Sequence, residues 1–441
     1  MNVLLVITFL VDFILCIYSL FNYKNSFIIF LAYNFISLQN VSGTINIGGL
    51  EVALSTLMES WYILLYFLIG KRRYYNRIGF PYKLPFWILG ISWLLSATFS
   101  IAGIGSEFSR YILNINDYLL LAYLIWNVLQ DKKDFERLFK IMTVIIFISC
   151  LYGLIEYETH SNIFQATVNS IQGVDSVFSV YNTDANLLSR GYRVNSIFLH
   201  PIGAGIIWGL YVIVVLILKL KLNIRKLPLE KLSYLTAILS TICIFLTKMR
   251  SPLIFLFIGI FAAVDLKKVK TYRVLATILL ICLIIYGFLG SKMQVFNSLF
   301  NSNISSEVGG SSIEQRSMQF RSAWMLIEQS PLLGLGNKFY FVSINSMYAT
   351  LTNNLLGMES IWMSNLVTYG LIGIFADIIW FYYMLIYLPY KYKQGTIFWI
   401  NLAYVVTASV TSTPGFYVYL LYVLDFYLIN FKFAEKMKYN K

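Results

Sequence analysis

Charge is what this 441-residue sequence has least of. Asp, Glu, Lys and Arg make up 12% of it and there are two histidines, where a soluble domain carries about 25% charged residues. With 58% hydrophobic residues, that scarcity excludes an ordinary water-soluble fold. The four cysteines, Cys16, Cys150, Cys243 and Cys282, all fall inside apolar runs without C-x-x-C spacing, so neither a disulfide framework nor a thiolate metal site is expected. No glycine-rich nucleotide fingerprint and no acids at metal-ligand spacing occur, and no cofactor or metal is expected. Proline-rich tracts and fixed-period repeats are lacking too, so nothing marks off a separate soluble domain.

What the sequence has instead is about 13 apolar runs, most of them long enough to cross a hydrocarbon core of ~30 Å. The expected fold is all-α, a polytopic membrane bundle of about 12–14 transmembrane helices. Residues 1–441 read as a single membrane domain. Met1 to Leu20 has no basic leader or small-residue cleavage pattern and reads as a first span rather than a cleaved signal peptide. Basic clusters at Lys71 to Lys83, Lys132 to Lys140, Lys219 to Lys231, Lys267 to Arg273, Lys391 to Lys393 and Lys432 to Lys441 separate the runs. Together with Lys24 they hold 25 of the 34 Lys and Arg. Cytoplasmic loops carry such an excess, so the net charge of +13 follows from topology and a nucleic-acid partner is not expected. The C-terminus is placed in the cytoplasm. Two long segments, 158–196 and 291–359, fall outside it, the second with short interfacial helices.

Nine cations lie against that bias: Arg110, Arg190, Arg193, Lys248, Arg250, Lys292, Arg316, Arg321 and Lys338. An anionic ligand accounts for them most economically. Arg190 and Arg193 sit where the first outer loop enters the next span, two Arg within four residues, and a guanidinium fork suits phosphate oxygens; the alternative is snorkelling at a helix end. Lys248 and Arg250 occupy a tight turn between two spans, where unpartnered charge is costly. Arg316 and Arg321 lie on a helical run, Ser312 to Gln329, whose Met318, Trp324, Met325 and Ile327 suggest a helix along the membrane surface. Arg321 on such a helix could equally meet lipid headgroups.

Glu359 opens the apolar run 360–388. A carboxylate there is either a helix cap or a general base for a sugar hydroxyl. His200, before Pro201, is the other base on that face and is more often structural. Asp12, Asp117, Glu156, Asp377 and Asp425 are acids within spans; they could form a proton path, but such acids more often tie a bundle together.

In order, Arg193-x-x-Ser196-x-Phe198-x-His200-Pro201, Thr247-x-x-Arg250, Arg316-x-x-x-Phe320 with Pro331-Leu-Leu-Gly-Leu-Gly336, and Glu359-Ser-x-Trp362 with Tyr369-Gly370-Leu-Ile-Gly373 resemble the bacterial O-antigen polymerase and O-antigen ligase family, most firmly over residues 190–375. The resemblance implies a glycosyltransferase in the bacterial cytoplasmic membrane with an extracytoplasmic active face. It would take glycan from an undecaprenyl-pyrophosphate-linked oligosaccharide, in contact with membrane lipids and beside a chain-length regulator and a flippase. Arg193, Arg250 and Arg316 would hold the pyrophosphate, with Arg190, Arg321, Lys248 and His200 around the substrate and Glu359 as base. The ligases carry His then Asn where this chain has Glu359, which favours a polymerase over a ligase. A transporter or flippase for lipid-linked sugars is the rival class, although no half-to-half similarity supports it. A purely structural scaffold would leave the outer arginines unexplained.

Overall fold

The computed structural model describes residues 3–41, 45–47, 50–71, 73–76, 78–101, 103–172, 192–264, 313–339, 349–355, 360–411 and 417–439. The chain divides into two compact units, Met1–Leu138 with Arg316–Lys441, and Phe139–Gln315. Among the described residues both are mainly helical, as backbone groups in hydrocarbon require, with a short antiparallel ribbon of Ile45–Ile47 and Leu50–Val52. Among the described residues, Val3–Phe21, Lys132–Thr159, Pro201–Lys221 and Ile361–Tyr392 are long and apolar enough to cross a membrane by length and composition. Leu54–Gly70, Arg250–Ile260, Gly395–Val410 and Val418–Phe431 are shorter apolar helices. The expected span at 274–290 lies outside the described residues.

In the first unit, Val3–Phe21 leaves Ile7, Leu10, Phe13, Ile14 and Ile17 exposed. Such a stripe would be a liability in water and suits lipid. Its buried Asp12 accepts from the hydroxyl of Tyr33 and, at 3.0 Å, from Nε2 of Gln39. Asp425 likewise accepts from the Tyr82 hydroxyl at 2.7 Å and from Asn401 at 3.0 Å. These carboxylates join helices across an apolar interior, where an unmade hydrogen bond is expensive.

The stretch Ile361–Tyr392, expected as one continuous span over 360–388, is not one rod. Gly370, inside the helix Ile361–Tyr382, has φ 66° and ψ −162°, and the chain folds back there. In a straight helix Asn365 and Asp377 would stand ~18 Å apart at 1.5 Å per residue, yet Asn365 Nδ2 donates to Asp377 Oδ2 at 2.7 Å. The rings of Trp362 and Phe381, farther apart in sequence, pack edge to face at 5.2 Å. The reversal opens the helical hydrogen bonds that cross Gly370, among them those from Leu371 N to Val367 O and from Ile372 N to Thr368 O. The segment Pro331 to Gly336 supplies replacements for these four groups. Leu371 and Ile372 donate to the carbonyls of Pro331 (3.0 Å) and Leu332 (3.1 Å), while Leu335 and Gly336 donate to those of Val367 (2.8 Å) and Thr368 (3.0 Å).

Backbone this close leaves no room for side chains. A Cβ at Gly370 would lie 2.5 Å from Gly334 N and from Leu332 O, and one at Gly334, whose φ is 73°, would lie 2.5 Å from the Thr368 carbonyl. Gly370→Ala therefore combines a backbone conformation essentially confined to glycine with a backbone clash. We predict a loss of about 2–4 kcal/mol, read as a lower midpoint in thermal unfolding of the detergent-solubilised protein. Unchanged unfolding would show that the reversal does not depend on this contact.

Candidate functional site

The second unit holds Arg193, His200, Lys248 and Arg250. Residues 192–198 run as irregular chain into the helix Pro201–Leu216, and they are buried: Arg193 is 3% exposed and Ser196 fully buried. Irregular backbone in such a place needs partners, and the Glu156 carboxylate supplies three. Oε1 accepts from the Tyr192 hydroxyl (3.0 Å) and from Asn195 N (3.1 Å), and Oε2 accepts from Ser196 N (2.5 Å). Asn162 Nδ2 donates to the Ser196 carbonyl at 2.8 Å, the Ser196 hydroxyl donates to Ser149 O at 2.6 Å, and Asn195 Nδ2 donates to Gln165 Oε1 at 3.0 Å. Arg193 is thus carried on a stapled loop.

That loop meets the turn bearing the other two cations. Val194 N donates to Leu246 O at 3.3 Å, and Arg193 Nη1 lies 4.0 Å from Met249 Sδ. Within the turn, the buried Thr247 hydroxyl donates to Ile244 O (2.7 Å) and accepts from Met249 N (3.3 Å), closing the end of one helix before the next begins at Arg250. Lys248 takes the left-handed conformation, φ 52°, and its ammonium stands 5.9 Å from the centre of the Tyr157 ring. Pro252, in the first turn of Arg250–Ile260, needs no N–H there. It seats against Gly205, where a Cβ would come within 2.6 Å, and Gly209, four residues after Gly205, lies against Phe255. Small residues at this spacing allow close helix approach. The motifs Arg193 to Pro201 and Thr247 to Arg250 are therefore one packed assembly.

His200 acts first as a cap: its Nδ1 accepts from Ile202 N at 2.9 Å, so the imidazole is neutral at that nitrogen. Burial, and then the neighbouring Arg193 charge, push it down to about 4 from the usual 6.5. It adds no positive charge to the site at neutral pH.

The other sequence-picked residues fall elsewhere. Arg316 and Arg321 belong to the first unit, on the helix Ile313–Ile327. The Arg316 guanidinium donates to Val410 O at 3.4 Å, and Arg321 is exposed beside exposed Met318, Phe320, Trp324 and Met325. The opposite face is buried: Ala323 and Leu326 pack with Leu335, Phe339, Leu355 and Val367. Ile327, expected on the surface side, is 4% exposed and belongs to the buried face. Glu359 and Arg190 lie outside the described residues.

The fold-back at Gly370 also shapes a cavity of about 140 Å³ in the first unit, lined in part by Trp93, Arg110, Asn114, Asn337, Asn365, Tyr369 and Asp377. The Tyr369 hydroxyl accepts from Asn114 Nδ2 and donates to Asn337 Oδ1, both at 3.0 Å. Buried Glu107 fixes the next stretch, accepting from Asn337 N at 3.0 Å and Lys338 N at 2.6 Å. Sequence reading singled out Arg110 among the outward cations and Asp377 among the acids within spans, but not this cavity. Glu156 was visible only as another acid in a span.

Residues 235–376 match the family model described as O-antigen ligase. That stretch, about a third of the chain, is similar to the O-antigen ligase family. It takes in Arg250, Arg316, the Pro331 to Gly336 segment and Gly370, and it leaves out Arg193 and His200. The matched family suggests a membrane glycan-processing function, and its members are membrane glycosyltransferase-like ligases and polymerases. No curated protein matches the chain.

Two outcomes test this geometry. Glu156→Gln replaces an acceptor with a donor facing a backbone N–H, so the Asn195 and Ser196 amides should exchange hydrogen at least ~10-fold faster, the equivalent of about 1.4 kcal/mol; unchanged exchange would remove Glu156 as the staple. For His200 the unfolded chain takes up its proton first as the pH falls. Its contribution is therefore fully present above 6.5 and is lost toward 4, by at most about 2 kcal/mol between pH 7.5 and 5. Thermal unfolding at the two pH values should show that loss, and His200→Asn, which keeps a capping acceptor, should reduce it.

Proposed function

We propose that this protein is a polysaccharide polymerase of the bacterial cytoplasmic membrane. In this reading it transfers glycan from an undecaprenyl-pyrophosphate-linked donor to a lipid-linked acceptor glycan on the outer face. The observation that carries the reading is the stapled Arg193 loop, adjoining the turn that holds Lys248 and Arg250. Cations held on rigid backbone are suited to an anionic group, because they need little reorganisation when charge develops.

The chemistry asked of the protein is modest. An acceptor hydroxyl attacks the anomeric carbon, the bond from that carbon to the pyrophosphate oxygen breaks, and the proton leaves with a general base. Arg193 and Arg250 would hold the pyrophosphate and neutralise the charge it gains, and Glu359 would be the base. Lys248 widens the same cationic surface. A ligase would run the same chemistry toward a lipid or wall acceptor, and the residue at Glu359 favours the polymerase. The interrupted helix is a feature that transporters use to present free backbone groups to a substrate. Here Pro331 to Gly336 takes up those groups, which supports the enzyme reading over the transporter.

Arg250→Ala and Arg193→Ala should each cut polymer formation by about 10²–10³-fold at normal protein abundance, with single lipid-linked repeats accumulating. Arg250→Lys should rescue poorly, because an ammonium lacks the bidentate fork. Chain-length analysis of the polysaccharide checks this, and normal-length polymer from Arg250→Ala would overturn the pyrophosphate assignment. Arg316→Ala separately tests whether the third expected arginine takes part.

A further inference from the structure

We propose that the cavity of the first unit is a glycan subsite that seats one pyranose ring. The inference rests on the glycan-transfer reading above and adds where the sugar itself is recognised. One part of the wall is aromatic: the half-buried Trp93 lies beside Tyr369, with ring centres 5.9 Å apart and planes tilted by 31°, and beside Tyr118 at 6.2 Å. Such faces accept the C–H side of a sugar ring.

Another part of the lining is polar and already fixed in place. Asn365 and Asp377, 9% and 2% exposed, are joined at 2.7 Å, and Asn114 and Asn337 are joined through the Tyr369 hydroxyl. Amides both donate and accept and a carboxylate accepts, so the set can answer hydroxyls in either sense.

Other ligand classes fit less well. A hydrocarbon tail would desolvate Asp377 and Asn365 and leave unmet the hydrogen-bonding capacity that their mutual bond does not use. A pyrophosphate would meet one cation, Arg110, offset by the carboxylate of Asp377. A neutral hydroxylated ring satisfies both parts of the lining. Trp93, Arg110 and Asn114 lie outside residues 235–376, so the choice of sugar is built partly from this chain's own N-terminal third.

The test is saturation-transfer NMR on the purified full-length protein with methyl glycosides of glucose, galactose, rhamnose and N-acetylglucosamine, and with decane-1,2-diol as the apolar control. At least one glycoside should receive saturation, with the signal reduced 5-fold or more in Trp93→Ala and in Arg110→Met. Arg110 is exposed, so the second variant keeps the test valid should the first fail to fold. Absence of transfer to all four glycosides, equal transfer from wild type and Arg110→Met, or preference for the diol would each overturn the subsite. Glycoside binding in a protein whose Arg250→Ala variant still polymerises would keep the subsite and remove the pyrophosphate reading instead.

Discussion

Hydrogen bonding of the backbone at Gly370 is the constraint on which the first unit depends. A helix in an apolar surrounding cannot simply reverse, because each broken i to i+4 bond leaves a donor and an acceptor without water. Here four bonds form on the segment Pro331 to Gly336, meeting Leu371 N, Ile372 N, Val367 O and Thr368 O. The exchange works because this segment lies against the opened turn with a carbonyl at Pro331, where no N–H is required. The Ser96 hydroxyl adds a further bond to Thr368 O at 2.8 Å, and the Ser100 hydroxyl one to Leu335 O at 2.9 Å. The helix Lys83–Thr98 and the residues just beyond it are thereby tied to the same junction. The cavity follows from this: without the reversal, Asn365 would not reach Asp377.

The second unit solves the same problem with a side chain. The stretch 192–198 is buried without being helical, and the Glu156 carboxylate takes the place of a neighbouring backbone. One buried acid accepting from two consecutive amides and a phenol fixes the loop's direction over several residues. It thereby fixes where the Arg193 side chain departs. This is a positioning role, distinct from holding a ligand, and it uses a charge that would be costly if left unmet.

Composition and charge pattern disclosed most of the helices, since crossing a bilayer imposes length and apolarity that a single chain displays openly. Arg193 and Arg250 were legible for the complementary reason, because cations against the orientation bias stand out. The reversal at Gly370 was not. Tyr369 and Gly370 lie in an unbroken apolar run, a lone glycine in such a run is compatible with a straight helix, and the segment that completes the turn lies more than thirty residues upstream. The sole local hint is a proline followed by two glycines at alternate positions, Gly334 and Gly336, where a backbone must pass close to another. Ile327 was assigned to the wrong face because a helix with apolar residues on two sides gives periodicity no way to choose. Glu156 resembled Asp12 and Asp425 in sequence, and its different partner, a loop rather than another helix, depends on tertiary placement.

The two units spend their polarity in different ways, and the difference bears on function. Around Arg193, polar groups are consumed in holding backbone, and charge is delivered by long, planar, permanently ionised side chains. Around Asn365 and Asp377, the polar groups are short and paired with one another, on a wall that also carries aromatic rings. The first arrangement favours an anion of fixed charge, since a guanidinium keeps its proton throughout. The second favours a neutral ligand rich in hydroxyls, since paired amides can exchange partners without a change of charge.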